Sequence, residues 1–438
     1  MARRGEEGLL RQALGEPVAG NGLLHRRAFL RGGIAFTGGM AALAAGGGGA
    51  VAAAVGQSDP IGLDSPPTMT TPGRSFTPYG VPAAAESDVV RTFNVNPIAP
   101  GTGTSRTPLH LLNGTITPNG LHFERHHNGV PDIDPATHEL IIHGLVDRPL
   151  VFTVDALMRY PMESHIRFIE CAGNSGAAAG TMPPQNTVQG IHGLLSCAEW
   201  TGIPLNVLLD EAGVQAGASW ILAEGADAAG MSRSIPLDKA MGDTILALYQ
   251  NGERIRPEQG YPMRLVVPGF QGNINVKWLR RIKVTDGPTH TRDETSRYSE
   301  LMPDGTARQF WLEFGPKSVI VQPSFGVNLT GPGYYEISGL AWSGAGRIAR
   351  VEVSADGGMS WTDAALSEPV QSKALTRFRL PWRWDGQPVV LMSRAVDEKG
   401  QVQPTHEAWK AQFAPGQAFM YNGIQNWAID ANGEVSNV

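Results

Sequence analysis

Two cysteines, Cys171 and Cys197, are all that the 438 residues contain. They cannot build a disulfide framework or a Cys-x-x-Cys zinc site, and no Cys-x-x-Cys-His haem attachment occurs. Charge is sparse as well. Only 17% of residues are charged and the formal net charge is −6, which argues against a nucleic-acid surface. One long apolar run exists, ending near Val55, but Gly38, Gly39 and the glycines at 46–49 leave it too weakly hydrophobic to partition well into a membrane. What the chain has in plenty is glycine, 54, and proline, 32, which favour a loop-rich β or α+β protein over a helical bundle. Its length is enough for two or three domains with proper cores.

The segment before that run reads His25-Arg-Arg-Ala-Phe-Leu-Arg31. A twin arginine ahead of a Gly/Ala-rich stretch has the form of a twin-arginine export signal, so residues 1–57 are expected to be a signal peptide and the protein periplasmic. Cleavage near Ala52–Ala54 would take the net charge from −6 to −9, because residues 1–57 carry six Arg and three Glu. Residues 58–104 are rich in Pro, Ser, Thr and Gly, and read as an extended arm or linker.

Arg167-Phe-Ile-Glu-Cys-Ala-Gly-Asn-Ser175 is the densest chemical signal. A β-type run over 166–170 delivers Cys171 to a Gly- and Ala-rich turn, where its sulfur can face a cavity. As a thiolate it would select soft or high-valent transition metals over Mg or Ca. A lone Cys is also often a small buried hydrophobe, and this one by itself decides nothing. The second dense stretch, Leu121-His-Phe-Glu-Arg-His-His-Asn-Gly-Val-Pro131, holds three histidines. They lack His-Glu-x-x-His spacing and have no Cys nearby, so they read as cofactor contacts or ordinary loop histidines more than as zinc ligands. Arg125 suits a sulfur oxyanion, since its planar fork donates two parallel charged hydrogen bonds; a surface salt bridge is the bland alternative. Gly260-Tyr-Pro-Met-Arg-Leu-Val-Val-Pro-Gly269 and Asn275-Val-Lys-Trp-Leu-Arg-Arg281 place Arg264 and Lys277 in a basic cluster with accessible backbone amides, suited to a phosphate. Tyr298 is either a phenol donor in a site or a packed aromatic.

Local signals give a coarse outline. Strands are expected at 138–143, 166–170, 219–224 and 244–249. A short helix is capped by Thr153, and another has Pro204 in its first turn and Gly213 at its end. Asn251-Gly252 marks a hairpin turn. From 316 onward the pattern changes to short strands near 319–321, 335–340, 348–354, 378–380, 389–396 and Trp409. Turns at Asp356-Gly-Gly and Glu398-Lys-Gly separate some of them, an immunoglobulin-like sandwich pattern without the disulfide.

Glu170-Cys-Ala-Gly-Asn174 resembles the molybdenum-ligand motif of the sulfite oxidase family. The resemblance covers roughly residues 105–435 through several motifs in order. It implies an α+β sulfite-oxidase-type molybdopterin domain, 105–315, followed by an all-β immunoglobulin-like sandwich, 316–438, that serves homodimerisation. By the same resemblance Cys171 is the metal ligand. Phe123, Glu124, Arg125, His127 and Pro131 fall on the segment that cradles the pterin and supplies an active-site arginine. Asp227, ahead of Ser234-Ile-Pro236, falls on a pterin-binding aspartate. Arg264, Asn275, Val276 and Lys277 fall on further cofactor contacts, with Gln259 where the family has a histidine. Tyr298 falls on the active-site tyrosine. The implied cofactor is molybdenum with molybdopterin, and with no haem motif in the chain, electrons are expected to leave through a partner.

Two arginines of sulfite oxidases proper are missing, with Gly176 and Asn422 expected in their places. These departures are similar to the molybdenum subunits of sulfane dehydrogenases of bacterial thiosulfate oxidation. Those subunits work with a dihaem c-type cytochrome on sulfane sulfur held by a carrier protein. Free-sulfite dehydrogenation is the nearest alternative, and a non-enzymatic exported binding protein the distant one.

Overall fold

The structure is a computed structural model that describes residues 67–69, 71–99, 101–416 and 419–438; the expected signal, 1–57, lies outside them. The chain divides into two compact units, Met1–Val81 and Pro82–Val438. In the first unit, Pro67–Met69 forms an exposed 3-10 turn. The second unit holds Cys171.

Among its described residues, the part that carries Cys171 is built on two five-stranded sheets and one of three strands. One five-stranded sheet runs Leu150–Thr153, Glu139–Gly144, Leu279–Thr285, Trp220–Gly225, Ser232–Pro236. Its single parallel pairing joins Glu139–Gly144 to Leu279–Thr285. In the other, Glu163–Glu170 lies at the edge beside Leu195–Pro204, which pairs with Ile245–Gln250. Ile245–Gln250 pairs in turn with both Glu253–Arg254 and Arg264–Val266. The expected strands are present with ends shifted by at most three residues. The hairpin turn is formed by Asn251 and Gly252 at φ 48° and 80°, the left-handed region that Asn and Gly tolerate.

Helices here are short because caps and turn residues interrupt them. Thr153 Oγ1 accepts from Ala156 N at 3.1 Å to start Val154–Leu157. Leu205–Ala212 ends on Gly213, at φ 72°. Pro204 stands at the N-cap of that helix, one step before the expected first turn. Apolar side chains from these helices and the first sheet, among them Leu140, Leu208, Ile221 and Ile282, are completely buried.

The expected arm contributes a strand of its own. Thr92–Val95 pairs antiparallel with Gly103–Arg106, which pairs with Glu124–His126. This small sheet brings Arg106 and Arg125 to the side of the molecule where Glu163–Glu170 ends.

Residues beyond 316 form the expected sandwich. One sheet runs Lys317–Gln322, Gly333–Trp342, Thr376–Trp384, Ala365–Leu366. The other runs Thr362–Asp363, Ile348–Ser354, Val389–Asp397, Asn426–Ile429, Val435–Asn437. Trp342, Trp384 and Trp427 are buried in its core, where each large ring removes much apolar surface from water. The expected strand near Trp409 is instead the helix His406–Lys410. Thr405 caps it by accepting from Ala408 N at 3.1 Å, and Trp409 packs on Phe413 and Tyr421. The sandwich shares a continuous apolar core with Leu109, Phe168, Ala172 and Ile191 of the preceding domain. Among the described residues no helix is long and apolar enough to cross a membrane.

Candidate active site

Strand Glu163–Glu170 is held along its length by Leu195–Pro204, ending at the pair Glu170 with Leu195. One more backbone link, Cys171 N to Leu194 O at 3.0 Å, fixes the residue beyond the strand. The chain then turns: Asn174 N donates to Cys171 O at 2.9 Å, and Ser175 takes φ 63°. Gly272 backs this turn so closely that a Cβ there would sit 2.7 Å from Glu170 O and 3.2 Å from Cys171 Cα. The half-buried Cys171 therefore faces outward, into a cleft with about 710 Å³ of empty space. Burial pushes its thiol up; a backbone hydrogen bond from Gly173 and the guanidinium groups of Arg125 and Arg106 act the other way. Cys197 is of another kind. It is fully buried among apolar neighbours, and burial pushes its thiol up to about 12.

The cleft gathers nearly all the residues singled out in the sequence. Phe123, Arg125 and His127 line it with Cys171, as do Asp227, Gln259, Arg264, Asn275, Val276, Lys277 and Tyr298. Their contributions differ. Asn275 uses its side chain to hold its own loop, accepting from Val267 N at 2.7 Å and donating to Gln271 O at 3.0 Å. Gln259 donates to Phe123 O at 3.0 Å, tying the pocket's two edges together. Arg264 gives its guanidinium to carbonyls, Gln259 O and Asn275 O at 3.0 Å each, and stacks on Trp200 at 5.0 Å. Lys277 Nζ donates to Glu258 O at 3.0 Å and Arg125 O at 3.3 Å. Among the described residues neither cation makes an ion pair. Burial pulls Arg264 down to about 9 and Lys277 well below its usual range. Two buried cations without a carboxylate partner are costly, and an anion between them would offset that cost.

Glu124 does not reach the cleft. Its carboxylate binds Arg91 and accepts from His126 Nε2 at 2.8 Å, while His126 Nδ1 accepts from Lys277 Nζ at 3.0 Å. The expected cofactor contact is thus a residue that orients His126 and, through it, Lys277. The three histidines are not a metal cluster. Burial holds all three down, His122 to about 3 and His127 to about 4. No group of three His, Cys, Asp or Glu converges among the described residues. His122 lines the cleft with Nδ1 on Phe123 O at 3.1 Å and Nε2 without a partner, an acceptor awaiting a donor.

Tyr298 is fixed by the loop before it. Thr291 and Glu294 form a capping box on helix Arg292–Thr295, and Glu294 also accepts from Ser234 Oγ at 3.1 Å. Ser234-Ile-Pro236 therefore serves as the tether of the tyrosine loop. The Tyr298 ring packs 5.5 Å from Phe419 and 5.1 Å from the buried Arg233 guanidinium. Burial pushes its phenol up to about 12, so it is a neutral donor at physiological pH. Gly176 and Asn422 do not line this cleft. Gly176 begins the 3-10 turn Gly176–Ala179, and Asn422 donates to Pro316 O at 3.0 Å beside a separate groove. Arg106 and Arg233 were missed in the sequence, since only the tertiary fold brings them near Cys171 and Tyr298.

The oxidoreductase molybdopterin binding domain matches residues 127–292, and the Mo-co oxidoreductase dimerisation domain matches residues 308–419. The sulfite oxidase of Gallus gallus is 31% identical over 313 residues, covering 66% of this chain and 68% of that protein. The chain belongs to the sulfite oxidase family of molybdopterin oxidoreductases. Other members are more distant in length. The mitochondrial sulfite oxidase of Rattus norvegicus is 30% identical over 379 residues, 80% of this chain and 66% of that protein. The NADH nitrate reductase of Solanum lycopersicum is 32% identical over 362 residues, and the chain spans only 38% of its length. A solved family structure, the sulfane dehydrogenase SoxCD from Paracoccus pantotrophus, is 46% identical with a TM-score of 0.83. It covers 87% of this chain and 99% of that one.

The cleft fits the family's cofactor. A thiol at its floor, two buried cations without a direct ion pair and the unpartnered acceptor His122 Nε2 suit a metal, a phosphate and a heterocycle N–H respectively.

Proposed function

We propose that this protein oxidises sulfane sulfur carried on a partner protein, adding oxygen from water and passing two electrons per step to a c-type cytochrome. The observation that carries this reading is the 46% identity to the sulfane dehydrogenase structure over 99% of its chain. When bound, molybdopterin would supply the two-electron oxygen-atom chemistry. The chain's own residues would do the rest. Cys171 would bind the metal, Arg264 and Lys277 would hold the phosphate, and Asp227, Gln259 and His127 would bracket the pterin. Arg125 would orient the developing S–O group, and Tyr298 would donate its proton in a hydrogen bond to the same oxygen. The sandwich would pair two copies. The Arg26-Arg27 signal would export the folded, loaded protein to the periplasm.

Free-sulfite oxidation is the second reading, favoured by the likeness to the chicken and rat sulfite oxidases. With one electron acceptor in common, kcat/KM for a carrier bearing sulfane sulfur is expected to exceed that for free sulfite. A preference for sulfite by orders of magnitude would replace the sulfane assignment. In either case Arg125→Ala should lower kcat/KM roughly ten- to a hundred-fold, the scale of a lost charged hydrogen-bond pair. Replacing Arg26 and Arg27 together by Lys should leave the protein in the cytoplasm. Normal periplasmic yield from that variant would show a different targeting route.

A further inference from the structure

The turn that carries Cys171 is gripped from the sandwich. Glu170, directly before Cys171, is fully buried, and both carboxylate oxygens are used. Oε1 accepts from Lys317 Nζ and from Asn174 Nδ2, each at 2.9 Å, and Oε2 accepts from Trp342 Nε1 at 2.7 Å. Lys317, also fully buried, gives a second proton to Ser175 Oγ at 2.7 Å. Gln425 uses its amide nitrogen on Asn426 O and Asn437 Oδ1, so its Oε1 faces His192 Nε2 and can only accept. The buried, neutral imidazole therefore carries its proton on Nε2, donating to Gln425 at 3.2 Å, and Nδ1 accepts from Ser175 Oγ at 2.6 Å. Asn174 closes the other side, accepting from Leu194 N at 3.0 Å. Lys317, Trp342 and Gln425 belong to the sandwich, and the other side chains belong to the cofactor domain. Every polar side-chain atom in this chain of contacts has a partner, so the arrangement has one favoured geometry.

We propose that Lys317 is a positioning residue for the Cys171 sulfur, clamping Glu170 and Ser175 on either side of the turn so that the sandwich sets the aim of the metal ligand. The inference rests on Cys171 being that ligand. An ion pair used only to glue two domains could sit anywhere along their shared core. This one joins the residue before Cys171 to the left-handed Ser175 that ends the turn, with Asn174 bridging them. Loosening it changes the direction of a sulfur whose backbone is set by this turn and whose side chain otherwise rests only against one edge of an apolar cluster that includes Ile169 and Leu194.

The test uses the full-length, cofactor-loaded protein with Lys317→Met and Glu170→Gln combined, which removes both charges together and leaves no carboxylate uncompensated. Molybdenum content, the electron paramagnetic resonance of the partly reduced metal, kcat, KM and Tm are measured beside wild type. The expected result is normal molybdenum, a shifted resonance, and kcat down about tenfold at unchanged KM. A wild-type resonance and kcat with a lowered Tm would reduce the network to domain glue and overturn the proposal. If the double variant does not yield folded protein, Ser175→Ala decides, since it keeps the Lys317–Glu170 pair. A shifted resonance there supports the clamp and an unchanged one overturns it. Wild type without molybdenum would instead refute the reading of Cys171 on which the proposal rests.

Discussion

Cys171→Ser is expected to purify folded and to turn over at less than about a thousandth of the wild-type rate. The fold does not depend on the sulfur. Cys171 is placed by its backbone bond to Leu194 and by the turn that follows, and its half-buried side chain faces the cleft. A Ser there keeps those bonds, so Tm should move by only a few degrees. The chemistry does depend on it. A hydroxyl stays protonated near neutral pH and is a hard donor, a poor replacement for a thiolate on a soft or high-valent metal. Cys197 cannot stand in, being enclosed in the core with its thiol held up at about 12. Steady-state turnover and thermal unfolding of the same preparation check both halves. Near-normal turnover would move the ligand role away from Cys171.

Lys277→Met is expected to strip the cofactor while leaving the protein folded. Met keeps most of the side-chain volume beside Trp278, whose ring lies 4.3 Å from the ammonium. The lost group is a buried cation whose hydrogen-bond acceptors are backbone carbonyls and His126, so its removal breaks no direct ion pair among the described residues. Such a change costs the apoprotein little. A terminal phosphate, by contrast, would lose a charged hydrogen bond of about 1.5–3 kcal/mol, a roughly ten- to hundred-fold loss in retention. Molybdenum after desalting should fall below about a tenth of the wild-type content, with Tm of the cofactor-free proteins nearly equal. Full retention would mean that the phosphate rests elsewhere and that Lys277 only braces the Arg125 loop.

Local signals made much of this legible. The strand before Cys171, the Asn251-Gly252 hairpin, the Thr153 cap and most sandwich strands follow from residues close in sequence, and the structure has them within a few positions. The cleft was legible because its residues come in short ordered blocks: of the 13 residues placed on site positions, 11 line it, and Glu124 and Pro131 do not. Glu124 lies outside the lining, and sequence could not show that Arg91, on the arm, would bind its carboxylate. Near Trp409 an apolar ring in a β-rich region suggested a strand, but the Thr405 cap decided for a helix. The Asn422 side chain, expected where the family has an arginine, turns instead to Pro316 O beside another groove. Arg233 under Tyr298 and Lys317 on Glu170, 147 positions away, are products of the tertiary fold, and no local pattern marks them.

Cys171, Arg264 and Lys277 are proposed to form one site for a molybdenum–pterin group. Metal and pterin analysis of wild-type protein, expressed in a host that makes the cofactor, tests it most directly. About one molybdenum and one pterin per chain are expected. Zinc in its place, or no metal at all, would contradict it.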